Sequence, residues 1–143
     1  MFMGEYNHTV DTKGRLIIPT KFREQLGEEF VVTKGMTGCL IAFPQEEWTL
    51  ITDKLRTFPL TQEDAIEFMH FFVSGAMSCE LDRQGRILLP ATLRKFADLD
   101  KDVVMTGMIN RFEIWDRDRW EETYASGNYR ESARKMAALG LNI

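Results

Sequence analysis

The chain has 143 residues, a length that suits one domain or two very small units that share a core. Hydrophobic residues make up 44% of it and charged residues 28%, a composition that excludes disordered and fibrous proteins. The longest apolar stretch, residues 68–77, is interrupted by His70 and Ser74 and is too short for a membrane span, which needs about 20 residues. Residues 1–5 carry no basic segment before an apolar stretch, so we expect no export signal.

Two cysteines, Cys39 and Cys79, predict neither a disulfide framework nor a zinc site. They lie 40 residues apart, without a CxxC spacing and without a nearby histidine. His8 and His70 are also isolated, and no sequence pattern of a hydrolase nucleophile or of a phosphate-binding loop occurs. We therefore expect no metal ion, no cofactor and a reducing, cytoplasmic location.

The charge is unevenly distributed along the chain. A net charge of −4 is on average a poor indication of a nucleic-acid binder. Residues 11–23 and residues 82–95, however, each carry a net charge of +3, which leaves −10 for the remainder of the chain. The positive charge is therefore concentrated in two short windows.

These two windows belong to an internal repeat. Residues 11–23, DTKGRLIIPTKFR, match residues 82–94, DRQGRILLPATLR, at an offset of 71, and every apolar position stays apolar. After one inserted residue the offset becomes 72, and the match continues as far as Trp48 and Trp120. The predicted organisation is a first repeat over 3–50, a helical connector over 51–73, a second repeat over 74–122 and a C-terminal helix over 123–143.

Each copy predicts a β-rich unit. A strand leads into an Asp-x-x-Gly turn, in which aspartate can cap the backbone and glycine supplies a positive φ. A second strand, a short helix with proline at its first position and a two-stranded hairpin follow. The predicted strands are 6–10, 16–18, 30–33, 39–43, 77–81, 87–89, 103–105 and 112–115. The predicted helices are 19–26, its equivalent beginning at Pro90, the connector helix within 61–74, and a tail helix that includes Ala133, Met136 and Ala137 and stops at Gly140.

Neither copy has enough strands to bury its own apolar surface, because isolated hairpins are only marginally stable in water. The sequence therefore predicts a β-rich α+β fold in which both copies share one pseudo-two-fold, β-barrel-like core with flanking helices. Such an axis places Asp11 and Arg15 of the first copy, and Asp82 and Arg86 of the second, at symmetric positions on one surface.

The paired motifs resemble those of a known family. Asp11-x-x-Gly14-Arg15 and Asp82-x-x-Gly85-Arg86, each followed by three apolar residues and a proline, are similar to the paired motifs of the MraZ family. That family is related to the AbrB/SpoVT swapped-hairpin DNA-binding domains, so the resemblance implies two tandem AbrB-like units. It also implies a bacterial transcriptional regulator that binds repeated boxes in the promoter of the division and cell-wall gene cluster, its own gene included. Ring-shaped homo-oligomers associated with the nucleoid are a further implication.

The residue types in the two windows suit duplex DNA. Lysine places a point charge near phosphates, and the planar fork of arginine can reach O6 and N7 of guanine. The predicted DNA-binding residues are Lys13, Arg15, Lys21, Arg23, Arg83, Arg86 and Arg94. The predicted motif-orienting residues are Asp11, Gly14, Asp82 and Gly85, because a carboxylate that faced phosphates would be repelled.

Three alternatives accompany this interpretation. The pair of Asp11 and Arg15 could serve only to stabilise a turn. Two aspartates related by a two-fold axis could also form an acid/base dyad, but an arginine within four residues of each holds it ionised, which disfavours an enzyme. The third alternative is a structural ring-assembly protein with no specific DNA site, in which the basic windows meet the acidic remainder of a neighbouring copy.

Overall fold

In the computed structural model, which describes residues 1–125 and 127–143, strands and helices alternate in a mixed α/β fold. The first half contains β1 (Glu5–Thr9), β2 (Arg15–Ile17), α1 (Thr20–Leu26), β3 (Glu29–Lys34), β4 (Leu40–Pro44) and α2 (Gln45–Leu55). Helix α3 (Glu63–Phe72) connects it to β5 (Met77–Glu80), β6 (Arg86–Leu88), α4 (Ala91–Phe96), β7 (Asp102–Gly107) and β8 (Phe112–Asp116). The chain continues with α5 (Arg117–Trp120), a π-helix (Glu121–Ala125) and α6 (Tyr129–Ala138).

The two halves exchange their first strands. The large sheet is antiparallel and has the order β1-β7-β8-β4-β3-β5, so β1 pairs with a strand of the second half and β5 with a strand of the first. Glu5, for example, lies opposite Thr106, and Glu29 lies opposite Glu80. Strands β1, β3 and β4 of the first half correspond to β5, β7 and β8 of the second, so the order of equivalent strands is the same when read from either edge. Each half therefore completes the sheet of the other.

A second, two-stranded sheet lies outside the large one. It consists of β2 and β6, which pair antiparallel with Leu16 opposite Ile87. These two side chains are 0% and 1% exposed and belong to the main core, together with Phe22 of α1 and Leu93 of α4. We call β2 and β6 the ribbon, because they form one narrow layer over the core.

The large sheet is covered on both faces. In β4, Leu40 and Ala42 belong to the main core beneath the ribbon, whereas Ile41 and Phe43 belong to a second cluster. That second cluster also contains Trp115 and aromatic residues of α2 and α3. Because side chains alternate between the faces of a strand, burial of both faces requires the continuous apolar run observed in β4.

Most predicted elements are found within one or two residues of their expected ends, and the mixed helix and strand content is confirmed. The sequence predicts Pro19 and Pro90 as the first residues of their helices, but each lies one position before its helix begins. Pro19 and Pro90 are the N-caps of α1 and α4, with ψ of 139° and 151°, because each still belongs to the extended segment that leaves the ribbon. The pseudo-two-fold, AbrB-like and barrel-like arrangement remains a prediction, as do the domain boundaries.

Two observations concern those boundaries. Helix α2 crosses residue 50, where the first predicted repeat ends, and the π-helix crosses residue 122. Ser126, within the predicted C-terminal segment 123–143, lies outside the described residues. The tail helix is present as α6, and Gly140 follows it with φ of +105°. Of the helices in the described ranges, none has the length and apolar character needed to cross a membrane.

Replacement of Phe22 should test whether the shared core stabilises both halves. The side chain is 1% exposed, and its ring centroid lies 5.4 Å from that of Phe2 and 4.7 Å from that of Phe112. Phe22→Ala should lower the free energy of unfolding by about 3–5 kcal/mol, since it leaves a cavity in a packed core. Urea unfolding followed by circular dichroism measures this, and exposed Glu24→Ala is the control from the same helix. A fall in the free energy of unfolding of less than about 1 kcal/mol would contradict the placement of Phe22 in a core shared by both halves.

Candidate nucleic-acid interface

The first Asp-x-x-Gly turn is organised by the carboxylate of Asp11. Its Oδ1 accepts the backbone N–H groups of Lys13 and Arg15, both at 2.9 Å, and its Oδ2 accepts Nε–H of Arg15 at 2.6 Å. Gly14 completes the turn with φ of +86°, a conformation that favours glycine, and its N–H donates to the Asp11 carbonyl at 3.0 Å. One aspartate therefore shapes the turn and orients the arginine that follows it.

The second turn repeats this arrangement. Oδ1 of Asp82 accepts the backbone N–H groups of Gln84 and Arg86 at 2.9 Å, and Oδ2 accepts Nε–H of Arg86 at 2.8 Å. Gly85 has φ of +75°. The same hydrogen bonds form within each of the two turns. This shared requirement explains why aspartate, glycine and arginine are identical in both copies of the repeat.

The protonation of the two aspartates follows from these bonds. The backbone N–H of Arg15, followed in effect by the Arg15 side chain, lowers the pKa of Asp11 below its usual value. Arg86 lowers the pKa of Asp82 in the same way. An acid/base dyad needs one carboxyl group whose pKa is raised so that it keeps its proton at the pH at which the enzyme works. Both carboxyl groups therefore favour the ionised form, in which they can accept hydrogen bonds from the backbone and from arginine.

Each motif arginine keeps hydrogen-bonding capacity beyond its aspartate. The contact to the carboxylate uses Nε, so both terminal amino groups remain beyond that bond. The side chains of Arg15 and Arg86 are 34% and 25% exposed, which makes them accessible from the solvent side of the ribbon. A guanidinium group fixed at Nε can present its other edge to an acceptor without a large loss of side-chain entropy.

The ribbon places the two turns at its opposite ends. Arg15 lies opposite Leu88 and Ile17 lies opposite Arg86, with the buried pair of Leu16 and Ile87 between them. The turns are also tied to the other half of the molecule. Backbone N–H of Ile18 donates to the carbonyl of Gly85, and that of Leu89 to the carbonyl of Gly14, both at 2.9 Å. Their separation is therefore set by backbone hydrogen bonds.

Arg23 and Arg94 lie over the turns of the opposite halves. A Cβ atom at Gly14 would come within 3.0 Å of the guanidinium of Arg94, and one at Gly85 would collide with that of Arg23. Nε–H of Arg23 donates to the carbonyl of Ile18 at 2.8 Å, and Nε–H of Arg94 donates to the carbonyl of Leu89 at 3.0 Å. These arginines therefore lie against the turns of the opposite halves and add positive charge there.

The remaining predicted site residues divide into two groups. Lys13 and Arg83 are exposed near the tips of the two turns. Lys21 is exposed on α1, where its carbonyl accepts Nε2–H of Gln25. One end of the ribbon thus gathers Lys13, Arg15 and Arg94, and the other gathers Arg83, Arg86 and Arg23, whereas the described contacts do not join Lys21 to either turn.

Two features of this surface were missed from the sequence. The crossing of Arg23 and Arg94 to the opposite turns depends on how the halves pack, so no local pattern indicated it. The exposure of Ile17 and Leu88, 43% and 58%, was hidden within runs of three apolar residues. Strand alternation could have revealed it, because a buried residue in the middle of a strand implies outward-facing neighbours.

Side chains that could act as nucleophiles or metal ligands lie away from the ribbon or inside the core. Burial raises the pKa of the Cys39 thiol to about 12 and that of Cys79 to about 11, so neither is a reactive thiolate at neutral pH. Across residues 1–125 and 127–143, no group of three or more His, Cys, Asp or Glu side chains is placed to hold a metal ion. The surface with the clearest chemical character is therefore the basic ribbon.

The chain is similar along nearly its whole length to proteins of one family. The family model described as "MraZ protein, putative antitoxin-like" matches residues 1–70 and 72–140. A relative from Moorella thermoacetica is 56% identical over 138 residues, which cover 95% of this chain and 96% of that relative. Relatives from Clostridium tetani and Ligilactobacillus salivarius are 51% and 55% identical, and each alignment covers 99% of this chain and 100% of the relative. All three are named "Transcriptional regulator MraZ".

Replacement of Gly85 should show how tightly the turns are packed. Gly85→Ala places a methyl group against the guanidinium of Arg23, whose movement breaks the bond to Ile18. Gly27→Ala is the control, because Gly27 also has a positive φ, +77°, but a Cβ there meets nothing within 4 Å. Because the flexible end of Arg23 can move aside, Gly85→Ala should cost more than Gly27→Ala only by the lost hydrogen bond to Ile18, about 0.5–1.5 kcal/mol in urea unfolding. Equal losses in the two variants would contradict the tight contact.

Proposed function

The chain belongs to the MraZ family, and we propose that it regulates transcription by binding double-stranded DNA through the ribbon and its two turns. The observation that carries this proposal is the gathering of three cationic side chains at each end of one exposed ribbon, in a chain whose net charge is −4. The relatives' names support a regulator, which is not an enzyme class.

The dimensions of the ribbon suit the major groove. Two hydrogen-bonded strands lie about 4.8 Å apart, and the major groove of about 12 Å admits a two-stranded ribbon with its side chains. In this arrangement Arg15 and Arg86 face base edges, where guanine offers O6 and N7 to an arginine fork. Lys13 and Arg83, at the turn tips, face the phosphates on either side. Asp11 and Asp82 stay directed into their own turns and away from the DNA.

The operator and the site of action follow from the family resemblance. We propose that the DNA is the promoter of the division and cell-wall gene cluster, including this protein's own gene, and that the protein acts in the cytoplasm at the nucleoid. The two ends need not contribute equally to binding. Thr12 and Lys13 of the first turn are replaced by Arg83 and Gln84 in the second, so the positive charge lies one position earlier.

The internal duplication supports a pseudo-two-fold, AbrB-like arrangement of two repeats, 3–50 and 74–122. The exchange of β1 and β5 and the reciprocal hydrogen bonds between Ile18 and Gly85 and between Leu89 and Gly14 favour it. In this view 51–73 is a helical connector and 123–143 is a C-terminal helical segment. The two turns then face one stretch of duplex from both ends of a single ribbon.

A ring-shaped homo-oligomer supplies the affinity that one ribbon lacks. A surface with three cations at each end buries little area, so a single contact should resemble non-specific binding, on the order of 10⁻⁴–10⁻⁶ M. Identical ribbons side by side make each later contact intramolecular, which can add factors of about 10²–10⁴. Head-to-tail packing presents the ribbons in the same orientation, so we propose that the DNA boxes are direct repeats.

Replacement of Arg15 tests the proposed base contact. Arg15→Ala should weaken specific DNA binding by about 5- to 150-fold, because one arginine–guanine pair contributes about 1–3 kcal/mol. The free energy of unfolding should fall by no more than about 1 kcal/mol, since the ion pair of Arg15 with Asp11 is partly exposed and such pairs contribute little. The control is Arg56→Ala, which removes an arginine that also pairs with an aspartate, Asp53 at 4.0 Å, but lies at the C-terminal end of α2, away from the ribbon.

Fluorescence anisotropy with a duplex of the gene's upstream region, at one fixed salt concentration, measures both variants. In a separate salt series with the unaltered chain, the logarithm of the binding constant should fall linearly with the logarithm of the salt concentration, with a slope of about −0.9 for each phosphate contact. Unchanged affinity of Arg15→Ala, or affinity that does not respond to salt, would exclude binding through the ribbon. A comparable loss in Arg56→Ala would show that overall charge alone is responsible.

The arrangement of boxes tests the multivalent mechanism. Duplexes with one box, with three direct repeats at about one helical turn, and with three repeats offset by about five base pairs should be compared. The in-phase repeats should bind most tightly, because only they face identical ribbons on one side of the DNA. Equal affinity for all three duplexes would exclude the multivalent mechanism and leave simple DNA binding intact.

A further inference from the structure

The outer face of the ribbon carries two exposed aliphatic side chains between its arginines. Ile17 is 43% exposed and Leu88 is 58% exposed. Single exposed aliphatic residues are common on protein surfaces and need no explanation alone. These two, however, occupy the same position of the internal repeat, 71 residues apart, and both lie on the surface that we propose to meet DNA.

Their neighbours make the pattern specific. Leu88 lies directly opposite Arg15, and Ile17 lies directly opposite Arg86. The outer face therefore consists of two rows across the ribbon, each with one arginine from one half and one aliphatic side chain from the other. The rows lie two residues apart, which is about 6.8 Å along a strand and corresponds to about two base-pair steps of DNA.

The ribbon presents these side chains in a fixed register. The pair between the rows, Leu16 and Ile87, is 0% and 1% exposed in the main core. A slip of one residue would bring the charged set into the core, so the register is strongly specified. The aliphatic side chains therefore keep fixed positions on the outer face of the ribbon, each beside one arginine.

We propose that Ile17 and Leu88 contact the 5-methyl groups of thymines in the DNA site. Thymine is the standard base that offers a methyl group in the major groove, and an aliphatic side chain is the complementary partner. Each row then reads a guanine through its arginine and a nearby thymine through its aliphatic side chain. This inference rests on the proposed DNA binding and deepens it, because it names a contact that arginines alone cannot make.

The size of the effect follows from the burial of one methyl group. Removing a methyl from water contributes roughly as much as one buried CH₂, so loss of a contacted thymine methyl should lower affinity by about 4-fold. Replacement of thymine by uracil removes only this methyl and leaves the base-pairing edge unchanged. The uracil penalty therefore isolates the proposed contact from the hydrogen bonds of the arginines.

The experiment uses the full chain and a duplex selected by the protein from a random library. Every thymine of that duplex is replaced in turn by uracil, and the affinity of each duplex is measured for the unaltered chain, Ile17→Ala, Leu88→Ala and a control. The control is Leu50→Ala, which removes a leucine that is 64% exposed but lies on α2. Circular dichroism and light scattering check the fold and the number of subunits of each variant.

We expect at least one thymine at which uracil weakens binding by about 4-fold in the unaltered chain and in Leu50→Ala. That penalty should disappear in Ile17→Ala or in Leu88→Ala, whichever contacts that methyl. If specific binding persists and still depends on Arg15 but no uracil substitution has an effect, the inference is wrong and the proposed function stands. If no sequence is selected, the proposed function itself fails.

Two further outcomes also decide the question. A uracil penalty of the same size in all variants would show that other side chains contact the methyl group, and would overturn the assignment. A change in the number of subunits in Ile17→Ala and Leu88→Ala, without a change in the uracil penalty, would identify the aliphatic pair as a contact between copies. The uracil scan on the unaltered chain tests the methyl contact even if a variant fails to fold.

Discussion

The arrangement of the basic surface depends on the burial of one cross-strand pair, Leu16 and Ile87, in the main core. This pair holds the ribbon against the large sheet and allows only one register. The turns on either side have little apolar surface of their own, so their positions derive from the ribbon and from the backbone bonds of Ile18 and Leu89. A rigid support of this kind lets short, polar turns present charged groups at a defined separation.

Electrostatics complements this rigidity. The carboxylates of Asp11 and Asp82 are directed into their own turns, where each accepts hydrogen bonds from two backbone N–H groups and one arginine side chain. The rest of the chain outside the two basic windows carries −10. For the proposed DNA binding, such a charge distribution is repulsive in most orientations and attractive in the one in which the ribbon faces the duplex.

The sequence predicts the local parts of this structure well, because local signals determine them. The Asp-x-x-Gly turns, the strands and the helix after each ribbon strand follow from residue patterns within a few positions of one another. The exchange of β1 and β5 and the crossing of Arg23 and Arg94 could not be predicted in the same way. They depend on which half packs against which, and both halves carry nearly the same pattern. The outward-facing Ile17 and Leu88 were obscured for a different reason, since three consecutive apolar residues conceal a period of two.

The exchange of first strands also has a consequence for the order in which the chain folds during synthesis. Strand β1 pairs with β7, so Glu5 finds its partner, Thr106, only after the ribosome has made a further 101 residues. At roughly 5–20 residues per second, that delay is on the order of 5–20 s. During this interval the first half has an unpaired strand and an uncovered core, and two nascent chains on one messenger could pair with each other. Spacing between ribosomes, and not only the finished sequence, then influences whether each chain closes upon itself.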